Sequence, residues 1–445
     1  MRIKISGGRV CDPLSGQIEE KDIYIEKGVF TLQLSGDPDQ VIDAAGLHVI
    51  PGLIDAHCHL REPGFEYRED IESGTKSAAK GGFNTVTSMP NTMPVCDNAA
   101  IVSAIISKAK QKGSARVLPI GAASKGQKGQ ELAEIGLMAE AGIVAVSDDG
   151  RPVESSDMMK KTMLYAAQFK LPVISHCEDL SLAADGHMNE GLVSTMMGLR
   201  GIPSVAESAV VARDCLLAEY LNLPLHIAHV SCRASVEQIR QAKKRGVPVT
   251  SETCPHYFTL TDEACQGFNT MAKMNPPLQT ADDRQAVIDG LIDGTIDLIA
   301  TDHAPHHRDE KEIEFALANN GITGLETAFG LGFQYLVEPG HLTLIDWIRK
   351  MTIRPAEILG QKLGSFEAGR PADVTLADLN ASYTFCADDM ASKARNTPYD
   401  GWQLKGRVVM TLLEGKTTYS WYDEKDSDVG KKAASEALDA ESEDA

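Results

Sequence analysis

Short apolar runs alternate with longer amphipathic stretches through the central part of this chain. Eight of the apolar runs lack the strict alternation of apolar and polar residues that a half-exposed strand shows. Their pattern predicts strands that are buried on both faces. These runs are residues 52–58, 85–89, 116–122, 143–147, 173–176, 225–230, 247–251 and 298–300. The intervening helical stretches are residues 67–80, 98–112, 131–140, 156–170, 204–221, 235–244, 282–293 and 342–359. Eight alternating strand and helix units predict an α/β fold, a (β/α)₈ barrel of the TIM type over residues 51–360.

Both ends of the chain carry a different pattern, in which short strand-forming runs are separated by turns. The runs are residues 2–5, 23–26, 41–43, 47–50, 373–376 and 408–413. The simplest interpretation is that residues 1–50 and 361–422 pair in one small β domain, with the barrel inserted between its halves. Residues 423–445 form an acidic tail without aromatic residues or periodicity, which predicts disorder.

Composition narrows the function classes further. The chain has 445 residues and a formal net charge of −20, which argues against a nucleic-acid partner and against an anionic membrane surface. No apolar stretch is long enough to span a membrane, and the N-terminus has no signal-peptide pattern. The nine cysteines form no CxxC pair or regular framework, which favours reduced thiols and a cytoplasmic location.

Ligand-type side chains collect at the predicted strand ends. His57 and His59 are two residues apart on an extended segment, so both side chains point to the same side. Active sites of (β/α)₈ barrels lie at the carboxyl ends of the strands. The further candidates at these ends are Asp148, Asp149, His176, His229 and Asp302. Histidines and carboxylates from several strand ends predict a Zn²⁺ site that activates water.

Four segments resemble one known family. They are Asp55-Ala56-His57-Cys58-His59-Leu60-Arg61-Glu62-Pro63-Gly64, Met89-Pro90-Asn91-Thr92, Met274-Asn275-Pro276-Pro277-Leu278, and Ala300-Thr301-Asp302-His303-Ala304-Pro305-His306 followed by Lys311. Together they resemble the signatures of the amidohydrolase superfamily and, within it, of the type I dihydroorotases. The resemblance covers residues 1 to about 420 and leaves out the acidic tail.

The resemblance implies a metal site with one or two Zn²⁺ ions per chain. His57, His59 and Asp302 would hold one ion, and His176 with His229 would hold the second. Many relatives bridge the ions with a carbamylated lysine, but strand four ends here in Asp148 and Asp149. This matches the branch that uses an aspartate bridge. Strand alternation favours Asp149 as the bridge, and Asp148 remains the alternative.

The implied reaction is the reversible cyclisation of N-carbamoyl-L-aspartate to L-dihydroorotate and water, in de novo pyrimidine biosynthesis. Metal-activated water attacks the ring amide, and Asp302 shuttles the proton. The planar fork of Arg61 suits the substrate carboxylate. The resemblance adds further substrate contacts: Asn91 and His306 to the carboxylate, Asn275 to the ring amide, and the backbone N–H of Gly321.

Several alternatives stay open. The chain could be a related cyclic amidase (a dihydropyrimidinase, hydantoinase or allantoinase) or a non-catalytic subunit of an aspartate transcarbamoylase assembly. The family resemblance also implies a homodimer and raises an association with aspartate transcarbamoylase. Residues 184–203 are either a lid at the barrel top or a surface excursion. Glu178 is either a carboxylate behind a metal ligand or a charge at a helix start.

Overall fold

The computed structural model describes residues 1–424. The predicted disorder of residues 423–445 therefore concerns a segment that lies, apart from its first two residues, outside the described chain. The strands are β1 (Arg2–Ser6), β2 (Arg9–Asp12), β3 (Gln17–Glu20), β4 (Ile23–Glu26), β5 (Val29–Thr31), β6 (Gln40–Asp43), β7 (His48–Pro51), β8 (Leu53–Asp55), β9 (Phe83–Ser88), β10 (Arg116–Gly121), β11 (Ala145–Val146), β12 (Val173–Ser175), β13 (Met188–Asn189), β14 (Gly201–Ile202), β15 (Leu225–Ile227), β16 (Val249–Thr253), β17 (Leu298–Ile299), β18 (Val374–Thr384), β19 (Gln403–Leu413) and β20 (Lys416–Ser420).

Helices follow most of the central strands. They are α1 (Ile71–Lys80), α2 (Ala99–Lys112), α3 (Ile135–Ala141), α4 (Ser156–Gln168), α5 (Leu180–Ala183), α6 (Leu192–Met197), α7 (Val205–Leu221), α8 (Arg233–Lys244), α9 (Pro255–Thr259), α10 (Ala281–Ile292), α11 (Arg308–Lys311), α12 (Ala328–Gly332), α13 (Leu344–Met351) and α14 (Ile353–Ile358). Within residues 1–424, no helix combines the length and the apolar character that a membrane crossing requires.

The central sheet is an eight-stranded parallel barrel in the order β8, β9, β10, β11, β12, β15, β16, β17, which confirms the predicted fold class. Its first and last strands are joined mainly by side chains and loops. The Asp55 carboxylate accepts the backbone N–H and the hydroxyl of Thr301, at 2.9 and 2.5 Å. Beyond the strands, the N–H of His59 donates to the carbonyl of His303 at 2.9 Å. This closure brings the HxH segment and the Asp302 segment together.

The two chain ends pair as the sequence predicts. Strand β18 runs antiparallel to β7, with Val374 opposite Pro51 and Ala377 opposite His48. These strands belong to a six-stranded sheet in the order β20, β19, β18, β7, β2, β3, and a four-stranded sheet has the order β5, β4, β1, β6. Apolar side chains from both chain ends, including Ile25, Val49 and Leu412, form one buried cluster.

Several predicted boundaries were wrong for local reasons. Helix α1 begins at Ile71 rather than at residue 67, because the Asp70 carboxylate caps it by accepting the N–H of Ser73 at 2.8 Å. Strand β16 begins at Val249 rather than at residue 247, and the preceding Pro248 has no N–H to donate to a strand ladder. The region 342–359 forms two helices, α13 and α14, separated at Thr352.

Residues 184–203 are more regular than the predicted loop. Strands β13 and β14 pair in parallel, and helix α6 connects them. The N–H of His187 donates to the carbonyl of Arg200, and that of Glu190 donates to Ile202, both at 2.9 Å. The side chains that line the cavity at the barrel mouth come from other segments. The segment therefore has the character of a structured surface excursion.

Candidate metal centre and active site

Three residues at the barrel mouth have backbone conformations that are rare for residues other than glycine. Arg61, His229 and Asp302 have positive φ angles of 62°, 34° and 44°, values that non-glycine residues adopt rarely. All three side chains are buried and line one cavity. Such strain is kept where the surrounding structure holds a side chain for a task. The backbone here thus directs an arginine, a histidine and an aspartate into one space.

Asp149 lies between two pairs of histidines. Its Oδ2 is 3.3 Å from His57 Nε2 and 3.4 Å from His59 Nε2. Its Oδ1 is 3.5 Å from His176 Nδ1 and 3.4 Å from His229 Nε2. One carboxylate therefore presents one oxygen to each pair, which is the arrangement that a bridging ligand needs.

Asp148, the alternative from the sequence, points elsewhere. Its Oδ1 accepts the backbone N–H groups of Ala123 and Ser124 at 2.9 and 3.0 Å, and its Oδ2 accepts the Ser124 hydroxyl at 2.5 Å. These bonds occupy both oxygens and fasten the loop after β10. Asp148 therefore acts in the structure as a loop anchor.

Asp302 lies beside the first pair of histidines, His57 and His59. Its Oδ1 is 3.1 Å from His59 Nε2 and 3.5 Å from His57 Nε2. Four sets of three residues have their ligand atoms within 4.8 Å of one another: His57, His59 and Asp149; Asp149, His176 and His229; His57, His229 and Asp302; and Cys254, His256 and Asp302. The donor types are those that Zn²⁺ prefers in catalytic sites.

The electrostatics of this cluster call for a cation. Burial lowers the pKa of His57, but the charges of Asp149, Asp302 and Glu252 outweigh it and raise that pKa well above its ordinary value. Burial raises the pKa of Asp149, yet its charged and hydrogen-bonded histidine neighbours bring it well below the usual range. His57 Nε2 and Asp149 Oδ1 are buried without a hydrogen-bond partner among the described residues. A divalent ion between them would supply the missing charge and bonds.

Two outer contacts fix the histidines of the first pair. His57 Nδ1 lies 2.6 Å from Oε1 of Glu252, a fully buried carboxylate on β16 whose Oε2 is 3.1 Å from His226 Nε2. His59 Nδ1 lies 2.9 Å from Asn91 Oδ1. Such contacts leave Nε2 of each histidine for a metal. Sequence reasoning gave Glu252 and His226 no role in the site, although an acidic residue within a buried strand was an available signal.

A cavity of about 300 Å³ opens over this cluster. Its lining residues are His59, Arg61, Arg68, Asn91, Asp149, Gly150, His176, His229, Met274, Asn275, Asp302, Ala304, His306, Asn319 and Asn320. The cavity thus brings together the predicted metal ligands, His57 excepted, and four of the five predicted substrate contacts. Gly321 is not among the lining residues.

Arg61 is the cation that this cavity leaves unpaired. It is 7% exposed, and its Nε donates to the carbonyl of Pro305 at 3.1 Å. Within the described chain, no carboxylate lies within 4.0 Å of its guanidinium nitrogens. Burial lowers the pKa of Arg61 to about 10, so it stays charged at neutral pH. Arg68, which sequence reasoning missed, is different because its Nε donates to Glu310 at 3.0 Å.

The remaining predicted substrate contacts have distinct surroundings. The Asn275 amide group donates to both carboxylate oxygens of Glu178 at 3.3 Å, which leaves its Oδ1 as an acceptor. His306 Nε2 is 2.9 Å from the carbonyl of Asn320. The N–H of Gly321 donates to the carbonyl of Lys273 at 2.9 Å. The expected Gly321 contact with substrate therefore does not fit this structure, because its donor is already used.

Two buried lysines support this rim of the cavity, and sequence reasoning gave them no role. Lys311 Nζ donates to the carbonyls of Lys273, Asn319 and Gly321, and Lys273 Nζ donates to those of residues 315, 316 and 318. Burial lowers the pKa of Lys311 to about 7. The two ammonium groups fix the segment that carries Asn319 and Asn320 against the cavity.

A parallel (β/α)₈ barrel whose strand ends gather four histidines and two aspartates defines the class of metal-dependent amidohydrolases. Solved structures agree with this fold. An L-hydantoinase (dihydropyrimidinase) from Arthrobacter aurescens superposes with a TM-score of 0.84 at 24% identity, over 94% of this chain and 96% of that one. A D-hydantoinase gives a TM-score of 0.81 at 24% identity, over 94% and 95%.

Sequence comparison is more specific. The profile of the family described as dihydro-orotase-like matches residues 46–235. A dihydroorotase of Acetivibrio thermocellus is 57% identical over 417 residues, which cover 92% of this chain and 97% of that protein. Dihydroorotases of Syntrophotalea carbinolica and Geobacter metallireducens are 55% and 54% identical, covering 94% of this chain and 99% and 100% of theirs. The chain belongs to the dihydroorotase family.

Proposed function

We propose that this protein is a zinc-dependent dihydroorotase of de novo pyrimidine biosynthesis, which interconverts N-carbamoyl-L-aspartate and L-dihydroorotate. The observation that carries the proposal is Arg61, a buried and unpaired guanidinium that lines the same cavity as the histidine and aspartate cluster. A buried charge without a partner is costly, so the site favours an anionic substrate. The names of the relatives point to the same reaction.

The proposed metal ligands are those that the sequence suggests. His57, His59 and Asp302 would hold one ion, His176 and His229 would hold a second, and Asp149 would bridge them. Support comes from the distances of Asp149 to the two histidine pairs. When bound, Zn²⁺ acts as a Lewis acid toward the amide carbonyl and lowers the pKa of water toward neutrality.

The proton transfers fall to Asp302. Its carboxylate lies at the centre of the cluster, with Oδ1 3.1 Å from His59 Nε2, and lines the cavity. In ring opening, Asp302 accepts a proton from the attacking water and delivers it to the departing ring nitrogen. In ring closure, the same carboxylate takes the proton from the ureido nitrogen and returns it to the leaving water.

Arg61 and Asn91 form the core of the proposed carboxylate clamp. His306 is proposed beside them, with its Nε2 3.3 Å from Nη2 of Arg61 and 2.9 Å from the Asn320 carbonyl. The guanidinium supplies the charge and a planar pair of donors. The Asn91 oxygen is held by His59, which leaves its amide group as a donor. Asn275 offers the opposite polarity, since its Oδ1 can accept a ring N–H. Donors on one side and an acceptor on the other would orient the ring over the metal.

The rival functions fit the site less well. A cyclic amidase for uncharged rings would leave the buried Arg61 charge unpaired in the complex. A non-catalytic subunit would have no need for the cluster of metal ligands that converges here. A cytoplasmic location is proposed from the nine cysteines, none of which forms a disulfide and eight of which are buried. A homodimer and an association with aspartate transcarbamoylase stay predictions.

Reconstitution of the stripped protein tests the proposal. The chain is treated with a chelator, dialysed, and assayed in both directions before and after addition of Zn²⁺. We expect no turnover of L-dihydroorotate or N-carbamoyl-L-aspartate without metal and recovery of both with it. Full activity of the stripped protein would refute the assigned role of the metal. No turnover by the protein with Zn²⁺ bound would refute the function.

A further inference from the structure

Glu178 follows β12 and stands between two parts of the site that have different tasks. Its Oε2 lies 3.4 Å from Nε2 of His176, one of the proposed metal ligands. Both of its carboxylate oxygens accept the amide group of Asn275 at 3.3 Å, and Asn275 is a proposed substrate contact. The side chain is largely shielded, with 13% of its surface exposed. One carboxylate therefore joins the metal centre to the substrate cavity.

The contact with His176 decides which ring nitrogen faces the metal centre. His176 Nδ1 points inward, 3.5 Å from Asp149 Oδ1 and 2.8 Å from His229 Nε2. Its Nε2 points outward to Glu178. An anionic acceptor at Nε2 keeps the proton on that nitrogen, so Nδ1 carries the free lone pair. A carboxylate in this place also increases the basicity of the imidazole and thereby its affinity for a metal.

The contact with Asn275 decides which end of the amide faces the cavity. A carboxylate accepts hydrogen bonds and cannot donate them, so it holds the NH₂ group of Asn275. The NH₂ group is thereby held at Glu178, and Oδ1 is left free to accept a hydrogen bond from a substrate in the cavity that Asn275 lines. A cavity that presents an acceptor at this point selects a substrate with an N–H there.

We propose that Glu178 is a positioning residue that sets both the metal-binding nitrogen of His176 and the acceptor polarity of Asn275. Its role toward Asn275 rests on the proposed function, whereas its role toward His176 rests only on metal binding. A single carboxylate thus aligns the second metal ligand set with the substrate N–H that must be recognised. The nearly isosteric replacement Glu178→Gln removes the charge. Its new NH₂ group must then face another N–H, either that of His176 or that of Asn275, and this contact is lost.

The test measures the two effects separately in Glu178→Gln. Zn²⁺ affinity is determined by competition with a chromophoric chelator, without any substrate. We expect the affinity for the ion that His176 would hold to fall by 10- to 100-fold, the range typical for loss of a partner behind a ligand histidine. KM for L-dihydroorotate in Zn²⁺-saturated enzyme should rise by about tenfold, as expected for one lost hydrogen bond. Glu190→Gln, the same change at an exposed glutamate of the excursion 184–203, should change neither value.

A double-mutant cycle with Asn275→Ala separates a positioning role from a general structural one. If Glu178 acts on the substrate through Asn275, Glu178→Gln raises KM in the wild type and adds nothing in the Asn275→Ala background. The loss of metal affinity should persist in that background. The proposal would be overturned if the KM effects of Glu178→Gln and Asn275→Ala simply multiplied in the double variant. It would also be overturned if Glu178→Gln bound metal as tightly as Glu190→Gln.

The outcomes also separate this proposal from the function on which it partly rests. If the wild type does not open L-dihydroorotate but opens another cyclic amide, the proposed function fails. The double-mutant cycle of Glu178→Gln and Asn275→Ala is then measured with that other substrate. If no ring is opened, the chelator competition alone decides the role of Glu178 toward His176. A fall in the thermal midpoint of Glu178→Gln that Glu190→Gln does not share, with unchanged metal affinity, would indicate a structural role and refute the proposal.

Discussion

Replacing Arg61 by methionine removes the charge that the proposed carboxylate clamp depends on. The replacement keeps an unbranched side chain at a position whose φ is already 62°, so it adds no new backbone strain. It gives up the bond from Nε to the Pro305 carbonyl and the contact of Nη2 with His306 Nε2 at 3.3 Å, each worth about 1 kcal/mol of folding stability. That loss is small beside the 5–15 kcal/mol that typically separates folded from unfolded domains. The variant should therefore fold and keep its metal, since Arg61 is no ligand.

The effect on catalysis should be far larger. Truncating one partner of a buried, hydrogen-bonded charge pair costs about 2–5 kcal/mol. At about 1.4 kcal/mol per factor of ten, kcat/KM for L-dihydroorotate should fall by roughly 30- to 5,000-fold. Among residues 1–424, no carboxylate pairs with this guanidinium, so its charge is available to the substrate. Residual turnover of dihydrouracil, which has no carboxylate, should change by less than about threefold because the clamp contributes nothing to it.

The assay compares kcat/KM for both rings in wild type, Arg61→Met and Arg68→Met, with zinc content measured on the same samples. Arg68→Met is the matched control because Arg68 lines the same cavity but is paired with Glu310. It should lower kcat/KM for dihydroorotate by less than Arg61→Met does. Equal losses for the two rings, or loss of zinc from Arg61→Met, would refute the division of roles.

Four other substitutions probe the remaining parts of the site. Asp302→Asn should lower kcat by about 10²- to 10⁴-fold, the usual contribution of a general acid–base group, and near-normal turnover would remove Asp302 as the proton shuttle. Asp149→Asn should lower the number of bound metal ions per chain. Asp148→Asn should keep the metal and lower the melting temperature, because Asp148 only anchors a loop. Metal analysis and calorimetry check both results, and the opposite pattern would reverse the roles of the two aspartates. Burial lowers the pKa of Lys311 from its ordinary 10.5 to about 7. Between these pH values unfolding takes up a proton, so the free energy of unfolding rises with pH. Lys311→Met should lack this rise, and a stability difference from wild type that stays constant in denaturant titrations from pH 7 to 10 would contradict the assignment.

The barrel was predictable because its strands are short and most of them are apolar, and because helical stretches separate them. The closure was also implied, since the HxH segment and the Asp302 segment had to meet at one strand-end rim. Strand limits were less predictable: β16 begins at Val249, after Pro248, which has no N–H to donate. Residues 184–203 gained their short strands from pairing between His187 and Arg200, a contact that local patterns do not encode.

The predicted metal ligands and substrate contacts follow from the strand-end rule and from family motifs. The groups behind them could not be found in that way. Glu252 contacts His57 across 195 positions of sequence, and Glu178 reaches Asn275 across 97. A carboxylate becomes a partner of a histidine only when the barrel places it there, so the three-dimensional fold was needed. The same holds for Gly321, whose N–H is consumed by Lys273.

The most direct test of the account is a side-by-side measurement of ring opening by the zinc-reconstituted protein. L-Dihydroorotate, dihydrouracil, hydantoin and allantoin are supplied at equal concentration, with the metal-stripped protein as control. The account predicts zinc-dependent turnover of L-dihydroorotate and at most traces with the three rings that lack its carboxylate. Preferred turnover of an uncharged ring, or undiminished turnover by the stripped protein, would contradict it.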